Sequence, residues 1–228
     1  TLSATLSPEQ LDALRRIDSP TVANAIEAFK VRDRTQGYIS MDIRCLFPDL
    51  PPVVGYAVTA TVDSTTPGRL GDRARWFRLW EVLEAAPKPA ILVFKDVGPQ
   101  PRLSCHCGDV MATIATRLGA VGLITDGGVR DLDEVHRLGF QYWAAGVVVS
   151  HGNAAILDVG LPVAVGGITI DPGELLHGDA NGVVVVPREI AAQVADEARK
   201  VQERERRIVE FVKSGDFTLE GLRKLYGL

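Results

Sequence analysis

Residues 122–135 read GLITDGGVRDLDEV, and this stretch decides how the 228-residue chain is predicted to fold. An apolar run typical of a buried strand leads into Gly127 and Gly128, and an arginine and an aspartate then stand side by side where a helix is predicted to begin. The two glycines predict a sharp turn after the strand. Such a turn puts Arg130 and Asp131 at the carboxyl end of the strand, where α/β sheets bind their ligands.

A helix cap and a ligand site are both compatible with this turn. Asp131 and Glu134, three residues apart, match a capping box, and Gly139 is suited to end the helix that follows. The alternative is that Arg130 and Asp131 belong to a binding site. This segment alone leaves both interpretations open.

Strands and helices alternate on both sides of this stretch, which predicts βαβ units with right-handed crossovers. Further short strands follow, with turns at Pro172-Gly173 and Asn181-Gly182. The predicted fold class is therefore α/β with a mixed sheet. The predicted strands lie at 55–62, 90–95, 121–125, 142–149, 162–165, 169–170 and 183–186, and the helices between them at 76–86, 108–118 and 132–138.

The N-terminal part is predicted to be helical. Residues 8–30 favour two short helices separated at Asp18-Ser19-Pro20, with Ser19 as a candidate cap of the second helix. Residues 31–55 carry several prolines and no clear periodicity, which indicates an irregular surface segment.

The C-terminal part is predicted to be one long helix with a charged middle. We predict a single domain over residues 1–228, with a core at about 15–187 and a C-terminal helical arm at about 188–228. The charge run Glu203-Arg204-Glu205-Arg206-Arg207 is compatible with a solvated face. The alternative is that the arm packs on a neighbouring subunit and supplies a carboxylate to it.

The amino-acid composition limits the classes of partner that the chain is expected to bind. The chain has 25 basic and 29 acidic residues, so there is no overall positive field to attract nucleic acid or an anionic membrane, and neither partner is expected. The sequence has no secretory signal pattern and no apolar run long enough for a membrane span. Three cysteines fit free thiols in a reducing compartment, so a cytoplasmic location is expected.

Cys105-His106-Cys107 has the residue types of a metal clip. One intervening residue is a poor spacing for chelation, and no second pair of ligands follows at zinc spacing. A structural zinc site is therefore disfavoured.

A second strand-to-helix turn adds to the first. Gly108 and Asp109 open the helix that precedes the GLITDGGVRD strand, and the first N–H groups of a helix can bind an anion. An ordinary helix start, with Asp109 favourable to the helix dipole, is the alternative. Together with Arg130 and Asp131, this turn would bring free N–H groups, a guanidinium and two carboxylates to one edge of the sheet.

These groups predict metal-assisted chemistry on an oxo acid. Arg130 suits a planar carboxylate or a developing enolate oxygen. Asp131 and Asp109 carry the hard oxygen ligands that Mg²⁺ or Mn²⁺ accept, directly or through water. A cation chelated by an α-keto acid acts as a Lewis acid while a carbon–carbon bond breaks. The predicted class is a lyase.

Two segments carry a family resemblance. Residues 108–140, GDVMATIATRLGAVGLITDGGVRDLDEVHRLGF, and residues 163–187, VAVGGITIDPGELLHGDANGVVVVP, resemble the RraA-like family. That family includes the class II 4-hydroxy-4-methyl-2-oxoglutarate/4-carboxy-4-hydroxy-2-oxoadipate aldolases and the regulators of ribonuclease E activity. The resemblance extends over about residues 15–215.

The resemblance implies a swivelling β/β/α fold, a homotrimer or a hexamer built from two trimers, and a pyruvate-enolate site between subunits. It makes Asp131 the metal-binding aspartate and Arg130 the arginine over the substrate carbonyl. It assigns Asp109 to a metal-bound water, and makes Glu205 the glutamate that a neighbouring arm supplies, with Glu203 as the second choice. The residues implied to bind the pyruvyl carboxylate through backbone N–H groups are Gly108, Asp109, Val110 and Met111.

Three positions depart from the family pattern. The segment 29–52 is longer and different, and Asn24 stands where many relatives carry an aspartate, so a different substrate is expected. Ser150-His151-Gly152 occupies a region where relatives often carry proline and arginine. His151 is a candidate contact for the distal end of the substrate, and a structural or surface role is the alternative.

The leading hypothesis is a divalent-metal-dependent aldolase or decarboxylase acting on a 4-hydroxy-2-oxo acid or an oxaloacetate-like β-keto acid. One alternative is a protein regulator that binds a ribonuclease, against which the long arm with Glu203 and Glu205 argues. Another is a phosphohistidine-type swivelling domain, in which His151 would carry phosphate.

Overall fold

A mixed eight-stranded sheet forms the centre of the computed structural model, which describes residues 5–69 and 71–228. The strands are β1 (Arg44–Cys45), β2 (Val53–Asp63), β3 (Ala90–Asp96), β4 (Ala120–Val129), β5 (Gln141–Val147), β6 (Ala155–Val159), β7 (Val163–Val165), β8 (Ile168–Ile170), β9 (Leu175–Asp179) and β10 (Gly182–Val186). The helices are α1 (Pro8–Arg15), α2 (Ser19–Glu27), α3 (Arg73–Ala85), α4 (Asp109–Arg117), α5 (Leu132–Arg137), α6 (Ala191–Lys213) and α7 (Leu219–Leu225), with a short 3₁₀ helix at Pro101–Leu103.

The sheet order is β1-β5-β4-β3-β2-β9-β10, with β6 also paired to β2, and β7 and β8 form a separate hairpin. Strands β2, β3, β4 and β5 run parallel to one another, as the alternating pattern predicts. Their central row, Val93, Ile124 and Trp143, is fully buried, because parallel strands are covered on both faces. The carboxyl ends of these strands therefore meet at one edge of the sheet.

Helices cover the sheet in two groups. Helices α3, α4 and α5 connect the parallel strands and pack on an apolar cluster that includes Leu79, Leu92 and Phe94. Helices α1, α2 and α6 pack on a second cluster beside β9 and β10, which includes Leu14, Val22 and Val194. The predicted mixed α/β class, with a helical N-terminal segment and a C-terminal helix, is confirmed.

The cap of α2 differs from the sequence prediction. Asp18, not Ser19, caps the helix, since its carboxylate accepts the Thr21 N–H at 2.9 Å. Ser19 lies inside the first turn and is buried, and its hydroxyl lies 2.9 Å from Nδ1 of His177 on β9. The Ser19 side chain, which local sequence assigned to the cap, instead contacts a buried residue on a distant strand.

Five elements were not predicted from the sequence. They are the short strand β1 within the segment expected to be irregular, the strands β6 and β9, the 3₁₀ helix Pro101–Leu103 and the helix α7. No helix among residues 5–69 and 71–228 has the length and apolar character needed to cross a membrane.

Candidate active site

Strand β4 continues through the glycine pair to Val129, so the predicted sharp turn at Gly127 and Gly128 is wrong. The two glycines instead allow segment 104–106 to lie close to β4. A Cβ at Gly127 would lie 2.6 Å from the His106 ring, and one at Gly128 would lie 2.7 Å from the Ser104 carbonyl oxygen. Segment 104–106 therefore lies directly against β4, where side chains would hold it away.

The turn is made by Asp131, which has a left-handed backbone conformation with φ at 58°. Its carboxylate makes no capping bond to α5 although Asp131 occupies the N-cap position. Oδ2 instead accepts the N–H of Asp109, at the start of α4, at 3.0 Å. The capping-box interpretation is therefore wrong, whereas Gly139 follows the end of α5 with φ at 69°, as predicted.

Gly108 brings the two turns together. A Cβ there would lie 2.4 Å from Asp131 Oδ2 and 3.0 Å from Arg130 Nε, so only glycine leaves room for both side chains. The Arg130 N–H also donates to the Cys107 carbonyl oxygen at 2.9 Å. These contacts hold the start of α4 against the end of β4.

A cavity of about 170 Å³ opens above this junction at the carboxyl ends of β3 and β4. Six residues predicted to contact the substrate line it, together with others that the sequence did not indicate. The predicted ones are Gly108, Asp109, Val110, Met111, Arg130 and His151, and the others are Trp76, Cys105, His106, Cys107 and Ala154.

The N–H groups at the start of α4 are not all free. Asp109 N–H donates to Asp131, and Val110 N–H donates to the Asp109 carboxylate at 2.7 Å. Among the described residues, the N–H groups of Gly108 and Met111 have no hydrogen-bond acceptor. These two are available to an anion without rearrangement.

Arg130 and Asp131 form a partly exposed ion pair at this edge. Arg130 Nε lies 3.5 Å from Asp131 Oδ2, and the side chains are 34% and 31% exposed. A second Arg130 nitrogen, Nη1, lies 3.5 Å from the Val149 carbonyl oxygen. The guanidinium is therefore held in position while donor capacity remains for a ligand.

The donor set matches only one type of metal site. Within residues 5–69 and 71–228, no three His, Cys, Asp or Glu side chains converge as a metal cage. Asp131 keeps one carboxylate oxygen, Oδ1, without a hydrogen bond to the described residues. A single hard oxygen ligand suits Mg²⁺ or Mn²⁺, which retain waters and accept substrate oxygens, and does not suit tetrahedral zinc.

A buried polar network supports the wall of the cavity, and sequence reasoning did not identify it. His106 Nε2 lies 2.8 Å from Asp96 Oδ2, and Nδ1 lies 2.7 Å from the Thr125 hydroxyl. Burial raises the pKa of Asp96, but hydrogen bonds from His106 and Ser104 outweigh it and hold that pKa below its ordinary value. The network ties segment 104–108 to both β3 and β4.

The two thiols next to His106 are buried. Burial raises the pKa of Cys107 to about 12 and raises that of Cys105 as well. Because the thiolate is the reactive form, neither cysteine is suited to act as a nucleophile at neutral pH.

Glu205 and Glu203 lie on α6 and do not line the cavity of their own chain. Glu205 accepts a hydrogen bond from Asn24 at 3.3 Å, and Glu203 pairs with Arg206 and Arg207. A role for Glu205 in catalysis requires a neighbouring chain and stays a prediction.

Comparison with known proteins identifies the family. The family model described as RraA-like, Aldolase/RraA, matches residues 19–185, which is most of the chain. The chain belongs to the RraA-like family. This assignment agrees with the resemblance carried by residues 108–140 and 163–187.

Curated relatives of this RraA-like chain match it over part of their length. A Halalkalibacterium halodurans protein named "Putative 4-hydroxy-4-methyl-2-oxoglutarate aldolase" is 34% identical over 96 residues, which are 42% of this chain and 46% of that protein. In the first three such relatives, the match covers between 23% and 67% of the relative's length.

Solved structures extend the likeness to the whole fold. An uncharacterized protein from Pseudomonas syringae pv. tomato has a TM-score of 0.76 and 27% identity, covering 99% of this chain and 98% of the other. Streptomyces coelicolor RraAS2, described as an unusual member of the RNase ES inhibitor RraA family, has a TM-score of 0.68 and 26% identity, covering 89% and 96%. The family thus contains proteins named as aldolases and proteins named as ribonuclease inhibitors.

Proposed function

We propose that this RraA-like chain is a divalent-cation-dependent lyase that breaks a carbon–carbon bond in a 4-hydroxy-2-oxo acid or a β-keto acid through the enolate of pyruvate. One observation carries the proposal. The Asp131 carboxylate is turned away from its own helix and meets the N–H of Asp109 beside Arg130, and these two contact residues line the cavity although Asp131 itself does not. A purely structural aspartate at an N-cap would bond its own helix.

The pyruvyl end of the substrate binds at this edge. Its carboxylate accepts the free N–H groups of Gly108 and Met111, with the dipole of α4 favouring the negative charge. Arg130 donates to the 2-oxo oxygen. This donation strengthens as that oxygen becomes the enolate oxygen, which is the condition for lowering the barrier rather than only binding substrate.

Asp131 is the residue that would hold a Mg²⁺ or Mn²⁺ ion, through the oxygen that lacks a hydrogen bond. When bound, the ion supplies Lewis-acid stabilisation of the negative charge on the 2-oxo acid.

Proton transfer from the 4-hydroxyl, next to the pyruvyl group, needs a base. The Asp109 carboxylate lines the cavity and accepts the proton of the 4-hydroxyl through a water, with Glu205 of a neighbouring chain as its partner in our hypothesis. The decarboxylation of an oxaloacetate-like acid passes through the same enolate and does not need this base. Both reactions are therefore compatible with the cavity.

The test is pyruvate release from oxaloacetate and from 4-hydroxy-4-methyl-2-oxoglutarate, with Mg²⁺ or Mn²⁺ and again with EDTA. We expect release that EDTA abolishes and that added cation restores. An absence of release from both acids, and from 4-hydroxy-2-oxo acids with an uncharged group beyond C4, in the presence of cation would contradict the lyase proposal.

The likeness to RraAS2 favours a second candidate function, binding to a ribonuclease. Inhibition of a purified ribonuclease by this chain, unaffected by Asp131→Asn, would support that alternative. Inhibition would need neither the cavity nor a cation, so the two functions are separable by this one variant.

A further inference from the structure

The two ends of the cavity have opposite chemistry. Gly108, Asp109 and Arg130 form the polar end, which the proposed function assigns to the pyruvyl group. The remaining wall is made mainly of apolar and aromatic side chains. Its members are Trp76, Val110, Met111, His151 and Ala154.

Trp76 contributes the face of its indole ring to this wall and provides no free hydrogen-bond donor. Its Nε1–H already donates to the Ala154 carbonyl oxygen at 3.1 Å. Its ring also packs against Trp80, with the ring centroids 6.1 Å apart. The indole is therefore fixed, and its polar group is occupied within the protein.

His151 offers an acceptor in its neutral form. Nδ1 lies 2.7 Å from the Gly152 carbonyl oxygen, and a carbonyl oxygen can only accept, so Nδ1 carries the proton. The other nitrogen, Nε2, then has a lone pair. It can accept a hydrogen bond from a substrate hydroxyl but cannot donate one to a carboxylate.

The charges around the cavity also oppose a second anionic group. Among the described residues that line it, Arg130 is the single guanidinium or ammonium group. Arg130 pairs with Asp131 and its remaining donors are assigned to the 2-oxo oxygen, while Asp109 adds a further carboxylate. A carboxylate on the apolar wall would lose part of its hydration without gaining a donor from the described wall residues, which is unfavourable.

We propose that the preferred substrate is a 4-hydroxy-2-oxo acid whose single carboxylate is at C1 and whose group beyond C4 is uncharged and apolar. This rests on the proposed lyase function. The C3–C4 bond breaks, its electron pair forms the enolate of pyruvate, the 4-hydroxyl loses its proton as an aldehyde leaves, and the enolate takes up a proton at C3.

A matched pair of substrates tests the proposal. 4-Hydroxy-5-methyl-2-oxohexanoate carries an isopropyl group where 4-hydroxy-2-oxoglutarate carries a carboxylate of nearly the same shape. We expect kcat/KM for pyruvate release to be at least about tenfold higher for the isopropyl substrate, as for a carboxylate that loses hydration without gaining a hydrogen-bond donor. Equal or higher kcat/KM for the dicarboxylate would overturn the inference and leave the lyase proposal standing.

A charge added to the wall should reverse the preference. Val110 is 67% exposed, so a polar residue there is tolerated by the fold. Val110→Lys should raise kcat/KM for 4-hydroxy-2-oxoglutarate about tenfold, and the uncharged control Val110→Gln should not. No gain in the lysine variant would contradict the location of the distal group at this wall.

Binding without turnover separates this inference from the lyase proposal. 2-Oxo-5-methylhexanoate and 2-oxoglutarate lack the 4-hydroxyl and cannot undergo the aldol cleavage. The first should change the tryptophan emission of the wild type and not that of Trp76→Phe, and the second should bind at least about tenfold more weakly. Tighter binding of 2-oxoglutarate would overturn the inference whether or not pyruvate is released from any substrate.

Discussion

Asp131 shows how a single backbone conformation changes the meaning of a sequence motif. In the left-handed region its side chain leaves the helix that it begins and reaches the N–H of Asp109. Aspartate adopts this conformation more readily than most residues, at a small energetic cost. The residue that resembled a cap thereby becomes a carboxylate in contact with Asp109 and Arg130, which line the cavity.

Gly108 gives the most specific prediction at the residue scale. In Gly108→Ala the added methyl would overlap Asp131 Oδ2, so the carboxylate and Arg130 must both move. We expect kcat/KM for pyruvate release to fall about 100-fold, as for a displacement of about 1 Å in a catalytic group. The melting temperature should change little, since the site is near the surface.

Gly146→Ala is the matched control, because a Cβ at Gly146 meets no atom within 4 Å. Its activity should stay close to that of the wild type. Equal losses in the two variants would argue against a specific role for the junction at Gly108.

Part of the site is predictable from local sequence and part is not. Arg130 and Asp131 follow β4 directly, and the start of α4 lies on the connection from β3 to β4, so their meeting at one edge is compatible with parallel strands. The roles of Gly127 and Gly128 are not predictable in this way, because they depend on segment 104–106, about twenty residues away along the chain. The hydrogen bonds of His106 were not predictable from local sequence for the same reason.

At the element scale, strand β9 connects the sheet to the N-terminal helices through buried polar groups. His177 Nε2 donates to the Leu14 carbonyl oxygen at 3.0 Å, and Nδ1 meets Ser19 at 2.9 Å. The Asp179 carboxylate accepts the Ser19 N–H at 2.8 Å. The sequence LLHGD does not alternate clearly, so β9 was not predicted, although its polar residues are among the most buried in the sheet.

His177 predicts a pH dependence of stability. Burial lowers its pKa below 6.5, the ordinary value, so the unfolded chain binds a proton more readily than the folded one. The free energy of unfolding should therefore fall as the pH drops below about 6.5. His177→Gln should be less stable at pH 7 by about 1–3 kcal/mol and should lose less stability between pH 7 and 5.5.

Urea unfolding of both proteins at several pH values measures this difference. The other three histidines are present in both, so subtraction isolates His177. Parallel curves for wild type and variant over this range would contradict the assignment.

At the scale of the whole molecule, the cavity and Glu205 are separate within one chain. Glu205 lies on α6, hydrogen-bonded to Asn24 of α2, while the cavity lies at the carboxyl ends of β3 and β4. The family resemblance implies that a neighbouring chain in a homotrimer or hexamer brings the two together. This prediction concerns the assembly of several chains.

Mixed oligomers test it. Asp131→Asn and Glu205→Gln should each be inactive alone, and coexpression should restore activity at sites that combine the intact residues of two chains. Coexpression of Asp131→Asn with Glu210→Gln is the control, since Glu210 lies on the same helix and pairs only with Arg206 among the described residues. A coexpressed first pair no more active than its members would contradict a shared site.

Two aspartates near the start of α5 distinguish a metal-binding carboxylate from a surface one. Asp131→Asn keeps the shape of the side chain and removes its charge, and Asp133→Asn makes the same change at an exposed position two residues away. Cation-dependent pyruvate release should fall by at least about 100-fold in the first variant and stay unchanged in the second, with both proteins folded. Full activity in Asp131→Asn would contradict the claim that Asp131 forms the centre of a metal-dependent lyase site.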